Sequence, residues 1–151
     1  MSTYTAVVEW SLEGEFARGR YSRAHVIRFD GGIEIRGSSS PSVVPLPFSV
    51  EDAVDPEEMF IAALSSCHML SFLDIARRAG FMIEHYKDAA EGTMTKGENG
   101  RSSITQVVLR PTIAFKGKPP SPAELDALHH EAHDVCFIAN SVKTQVRVES
   151  V

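Results

Sequence analysis

Thr3–Trp10 ("TYTAVVEW") is rich in β-branched and aromatic residues and predicts a strand. Two more runs follow, Tyr21–Phe29 ("YSRAHVIRF") and Ile33–Gly37 ("IEIRG"), and Asp30-Gly31 between them is a hairpin signal. Ser38–Val54 breaks the pattern with three prolines among its serines and predicts a long surface connection. Asp55-Pro56-Glu57-Glu58 then starts a helix: Asp55 can accept from free amides, and Pro56 suits the first helical position. This helix is expected to run to Ala79, with Gly80 ending it. Its first half, "MFIAALSSCHMLSFL", is apolar nearly all round, so it should be buried on most sides.

The second half of the chain returns to strands. Phe81–Gly97 reads as one, with an ambiguous Ala-Ala-Glu centre; Glu98–Gly100 is a turn, and Ser102–Gly117 is the clearest strand. Pro111 inside it implies an edge position or a bulge. Ser121, Pro122 and Glu124 form a capping-box pattern that opens a second helix, expected to carry Cys136. Ser141–Val151 alternates like a final strand. The order β-β-β-α-β-β-α-β with short connections predicts one α+β domain over residues 1–151, with a mostly antiparallel sheet. One sheet covers one side of the apolar helix, and a second copy of the chain is expected to cover the other.

Composition narrows the function. The 151 residues carry a net charge of −5, and the arginines at 18, 20, 23 and 28 are interleaved with Glu13, Glu15 and Asp30. Nucleic acid needs a basic face, so it is not an expected partner. No apolar run reaches the length expected of a membrane span, and "MSTYTAVVEWSLEGEF" has neither the basic head nor the apolar core of a signal peptide. The expected compartment is the cytoplasm, where the two cysteines stay reduced unless they do redox chemistry.

Cys67 is the first candidate for chemistry. Free cysteine commonly packs as a small hydrophobe, yet Cys67 lies between Ser66 and His68, and a second cysteine exists. A reactive thiolate needs a nearby cation or a helix N-terminus. Cys67 is about three turns into its helix, where the dipole has faded. The cation must therefore come from elsewhere: Arg23, Arg18, Arg20 or His68. Glu57 and Glu58 are carboxylates that could hold an arginine in place, although first-turn glutamates also simply favour the helix dipole. His129, His133 and Cys136 fall on one helical face and could bind zinc, but "HEAH" lacks the spacing of a zincin motif. There is no phosphate loop and no Gly-x-Ser-x-Gly elbow.

"DPEEMFIAALSSCHM" together with "CFIANSV" resembles the OsmC/Ohr family of thiol-dependent hydroperoxide reductases, and most nearly an OsmC-like branch. The shared features are Pro56-Glu57, a cysteine ten residues after that glutamate, and a late second cysteine. The resemblance implies an OsmC/Ohr-like intertwined homodimer with its sheet around a buried central helix. It further implies that Cys67 is the peroxidatic thiolate and Cys136 the resolving thiol. An arginine paired with Glu57 would activate Cys67. Residues 38–54 contain no arginine, which leaves the N-terminal group and favours Arg23 over Arg18 and Arg20. The implied substrate is an organic hydroperoxide, with an external dithiol of the lipoyl type as reductant and no cofactor or metal. Phe60, Ile61, Leu64, Met69, Leu70 and Phe72 are expected to supply an apolar substrate cleft. Two alternatives stand: a non-catalytic module of the same fold that binds a small hydrophobic ligand, and a zinc protein using Cys136 and its histidines.

Overall fold

The computed structural model describes residues 1–150. The chain divides into two compact units, Met1–Met59 and Phe60–Val151.

In the first unit, β1 (Ala6–Glu9), β4 (His25–Phe29) and β5 (Glu34–Gly37) form an antiparallel sheet in the order β1-β4-β5. The Asp30-Gly31 turn joins β4 to β5 as the sequence predicts, with Gly32 at φ 86°. A small ribbon precedes it: β2 (Gly14–Glu15) pairs with β3 (Arg20–Tyr21) around a 3-10 turn at Phe16–Arg18. The run Tyr21–Phe29 is therefore not one strand. It breaks at Ser22–Ala24, where the Trp10 indole N–H donates to the Ser22 carbonyl at 2.8 Å and the Arg23 N–H donates to the Phe48 carbonyl at 2.9 Å. Ile27 is buried, whereas Val8 and Ile33 are about two-thirds exposed.

Helix α1 (Pro56–Arg78) starts where the sequence places it. The Glu58 N–H donates to Asp55 Oδ1 at 2.7 Å and the Asp55 N–H donates to Glu58 Oε2 at 3.1 Å, a reciprocal cap. Gly80, at φ 89°, turns the chain out of the helix.

In the second unit, β6 (Met82–Asp88) pairs with β9 (Pro111–Lys116), and β7 (Glu91–Lys96) with β8 (Ser102–Leu109), all antiparallel. The two long strands read from sequence are each split, at Ala89-Ala90 and at Arg110, so the one hairpin feeds two separate sheets. Asp88 holds this break: its Oδ1 accepts the Arg110 N–H at 2.6 Å. Pro111 opens β9, where a missing amide does least damage to a ladder. α2 (Pro122–Val135) begins with the expected capping box, the Glu124 N–H donating to Ser121 Oγ at 3.2 Å and the Ser121 N–H to Glu124 Oε2 at 2.7 Å. The last strand, β10 (Gln145–Val148), adds to β8 in parallel, the exception to the antiparallel pairing.

Two apolar clusters form. Phe72, Ile75 and Ala76 of α1 pack with Leu128 and Ala132 of α2, and Leu64 packs with Val107 and Leu109 of β8. The buried positions of α1, at 64, 68, 72, 75 and 76, make one stripe at helical spacing. The rest of the helix is partly covered or exposed within the single chain, and Leu70 stands 61% exposed. The statement about apolar length is corrected: α1 has 23 residues, reaches a mean hydropathy of 1.6, and by length and composition alone could cross a membrane.

Candidate active site

Cys67 and Cys136 are far apart in sequence, and the fold brings them near enough for Cys67 to act on the Cys136 thiol. Both are free; Cys67 is half-buried and Cys136 fully buried. Cys136 is not inside α2. It is the residue after the last helical one, with extended backbone (φ −68°, ψ 112°). The segment "CFIANS" then winds tightly around it. The Asn140 N–H donates to the Cys136 carbonyl at 3.0 Å, and the Asn140 Nδ2 donates to the carbonyls of Asp134 at 2.9 Å and Cys136 at 3.1 Å. The Ala139 N–H donates to the Cys136 sulfur at 3.4 Å. Burial raises the Cys136 thiol above its ordinary range, and the nearby Cys67 raises it further. Cys136 is thus kept protonated, while Cys67 has the better access to solvent and is the thiol that an oxidant reaches first.

His68, next along α1, does something different. It is 1% exposed, and its Nε2 shares a hydrogen bond with Nδ1 of His129 at 3.0 Å. The His129 ring also stacks on Phe72, with centroids 4.2 Å apart. Burial lowers the pKa of both imidazoles to about 4, the neighbouring His129 adding to the effect at His68. His68 is thus neutral at neutral pH and cannot be the cation that activates Cys67. Sequence reading missed the histidine pair. The signal available was apolar neighbours at the α1 stripe spacing, and it does not specify a partner 61 residues away.

The zinc face inferred from spacing is pulled apart by the same contacts. Cys136 turns to Cys67, His129 turns to His68, and among the described residues no group of three or more His, Cys, Asp and Glu side chains is arranged to hold a metal.

Glu57 and Arg23 belong to the first unit. Glu57 is half-buried in the first turn of α1. On that one helix it is ten residues from Cys67, roughly 15 Å along the axis and rotated by roughly 80°. No glutamate side chain spans that distance. Arg23 lies with its Cζ 3.6 Å from the Tyr21 ring centroid, and its Nη1 donates to the carbonyls of Gly19 at 3.1 Å and Tyr21 at 2.5 Å. It has no carboxylate partner among the described residues. Arg18 pairs with Glu15 at 3.5 Å in solvent, and Arg20 faces Glu15 across the β2–β3 ribbon. The apolar residues proposed for a cleft divide: Leu64 and Phe72 are 0% exposed in the two cores and cannot touch a substrate, while Leu70 is exposed.

The family model for OsmC-like protein matches residues 49–151. Among solved structures, an OsmC-like protein of unknown function from Vibrio cholerae is 50% identical over the whole of both chains, with a TM-score of 0.97. An organic hydroperoxide resistance protein from Elizabethkingia anophelis, solved with thiocyanate bound, is 20% identical over 99% of this chain and 95% of that one, at TM-score 0.69. The organic hydroperoxide resistance protein OhrB of Bacillus subtilis is 19% identical over 98% of each chain, at TM-score 0.67. A comparison with curated proteins gives no match.

Proposed function

The chain belongs to the OsmC-like family, and from that premise we propose that it is a two-cysteine peroxidase that reduces organic hydroperoxides to alcohols. The observation that carries this reading is the convergence of Cys67 and Cys136, 69 residues apart in sequence, to where one thiol acts on the other. Structural neighbours named as organic hydroperoxide resistance proteins support it.

In the proposed cycle the Cys67 thiolate attacks the distal peroxide oxygen. The O–O bond breaks, the sulfur is oxidised to a sulfenic acid, and the alkoxide takes a proton and leaves as alcohol. The Cys136 thiol then attacks that sulfur; its proton goes to the departing hydroxyl, water leaves, and a disulfide forms. An external dithiol, of the lipoyl type, exchanges with the disulfide and returns both thiols. The cycle uses no cofactor or metal, and the setting is the cytoplasm. Neither nucleic acid nor a membrane has a part in it.

The thiolate requires a cation, and neutral His68 leaves that role to an arginine. Arg23 is the candidate kept from the N-terminal group; like Arg20 it forms no ion pair among the described residues, whereas Arg18 pairs with Glu15. Glu57, too far along α1 to serve its own Cys67, is assigned to the Cys67 of a second copy. A homodimer provides this twice through a two-fold axis. It also gives a place to the exposed apolar groups at Leu70, Val8 and Ile33.

The test is to add cumene hydroperoxide to reduced protein and count thiols. Loss of two per chain is expected, and no loss refutes the cycle. Mixing Cys67→Ser with Glu57→Ala protein under subunit exchange tests the shared site: recovered activity is expected, and none despite proven exchange refutes it.

A further inference from the structure

Around Arg23 the first unit builds a second recessed feature, whose lining includes neither cysteine. The β2–β3 ribbon and the end of β1 bring three aromatic rings together. Phe16 and Tyr21 have centroids 4.9 Å apart, and Trp10 meets Tyr21 edge-on at 5.7 Å and Phe16 at 6.1 Å. With Val8, His25 and Ser39 they line a cleft of about 310 Å³. Aromatic rings in a lone ribbon gain little by gathering at a surface, and Phe16 is nevertheless 59% exposed.

The cation gives the cleft its polarity. Arg23 sits over the Tyr21 ring, its Cζ 3.6 Å from the centroid, and both backbone contacts use Nη1. Nε and Nη2 bond to none of the described residues. A guanidinium offers five N–H donors in a fixed plane, and the Nε/Nη2 edge matches a carboxylate bidentately. The ring and the two carbonyls hold the group beforehand, so little side-chain freedom is lost on binding. The ring faces take a flat apolar body, in a volume at the small end of ligand sites. A cationic ligand is repelled by the guanidinium, and a neutral one leaves its free edge unused.

We propose that this cleft is a binding site for small aromatic monocarboxylates, with the ring against Trp10 and Phe16 and the carboxylate on Arg23. Recognition of such a molecule requires neither thiol, and a ligand on Arg23 competes with the role proposed above for that arginine.

Trp10 is the single tryptophan of the chain and reports on the cleft directly. The experiment uses Cys67→Ser protein, which has no peroxidatic chemistry, and follows Trp10 emission during titration with benzoate, benzamide and cyclohexanecarboxylate. A saturable change with benzoate is expected, with benzamide and cyclohexanecarboxylate each weaker by about tenfold. Arg23→Gln should abolish the preference for acid over amide, and Phe16→Ala should weaken all three ligands. The acid–amide contrast needs no change in the cleft itself, and it can be repeated on unsubstituted protein without peroxide, so it does not depend on the Arg23 and Phe16 variants folding. Absence of a saturable change with benzoate, or equal affinity for benzoate and benzamide, overturns the proposal. In unsubstituted protein, benzoate should also slow hydroperoxide consumption if Arg23 serves Cys67. Binding without inhibition counts against the role of Arg23 in the peroxidase cycle and leaves the cleft intact.

Discussion

Cys67 and His68 are consecutive on α1, and each meets a partner supplied by α2 or its end, yet the two pairs have opposite characters. The sulfurs approach where α2 has stopped, beside a half-buried position, with Asn140 donating to the Cys136 carbonyl and the Ala139 N–H to its sulfur. The imidazoles meet inside the packing of α1 on α2, against Phe72, and are sealed from water. A rotation of about 100° around the helix, the step of one residue, separates a half-buried setting from a sealed one. Burial decides which is which. It keeps the histidines neutral, so they act as a hydrogen-bonded core element, while Cys67 keeps partial access to solvent.

The contrast is broken most sharply by removing one member of each pair. Cys67→Ser should abolish hydroperoxide consumption with little change in thermal stability. Cys136→Ser should retain a single oxidation event and then accumulate sulfenic acid or more oxidised sulfur, seen by mass spectrometry. The histidine pair should answer in stability instead. His68→Leu leaves Nδ1 of His129 buried without its partner, at a cost of about 1–3 kcal/mol. The double change to leucine at 68 and 129 should cost less than the sum of the two single changes, read from denaturant unfolding.

Acid sharpens the comparison. Both imidazoles titrate near 4 in the folded state, below their ordinary 6.5. Between those values the unfolded chain binds more protons than the folded one, so stability falls as pH drops from about 6.5 to about 4. The loss is on the order of a few kcal/mol, and the double leucine variant should flatten that slope. The carboxylates of Asp74, held low chiefly by Arg77, and of Glu124, held low by the Ser121 amide, act at more acid pH. The smallest effect expected is at Asn140. Asn140→Ala removes two side-chain bonds around Cys136 and should cost about 1 kcal/mol while slowing disulfide formation.

Local chemistry was readable in the sequence wherever a few adjacent residues settle the outcome. Asp55 and Pro56 start α1, Gly80 ends it, and Ser121 with Glu124 caps α2, because each cap is satisfied within four residues. The α+β class and the order of strands and helices followed from the same local patterns. What stayed hidden depends on distant partners. The break at Ala89-Ala90 and Arg110 is set by Asp88 accepting an amide 22 residues away, and nothing in "KDAAEG" announces it. The parallel docking of β10 on β8 is likewise a choice among edges that alternation cannot make. Cys136 was placed inside a helix because "HHEAHDVC" keeps helical periodicity to its end, and the Asn140 contacts that turn the chain lie beyond it. At the site, the residues of the two thiols were legible, but the neutrality of His68 was not, since it comes from packing against His129.

The approach of Cys67 to Cys136 also bears on how long the protein lasts. A bond between those sulfurs ties off a loop of roughly 70 residues, and by chain entropy such a tie disfavours the unfolded ensemble by about 4 kcal/mol. The oxidised protein would then open far less often than the reduced one, and proteases that cut open chains would spare it. Molecules waiting for their reductant would outlive those that have already met it.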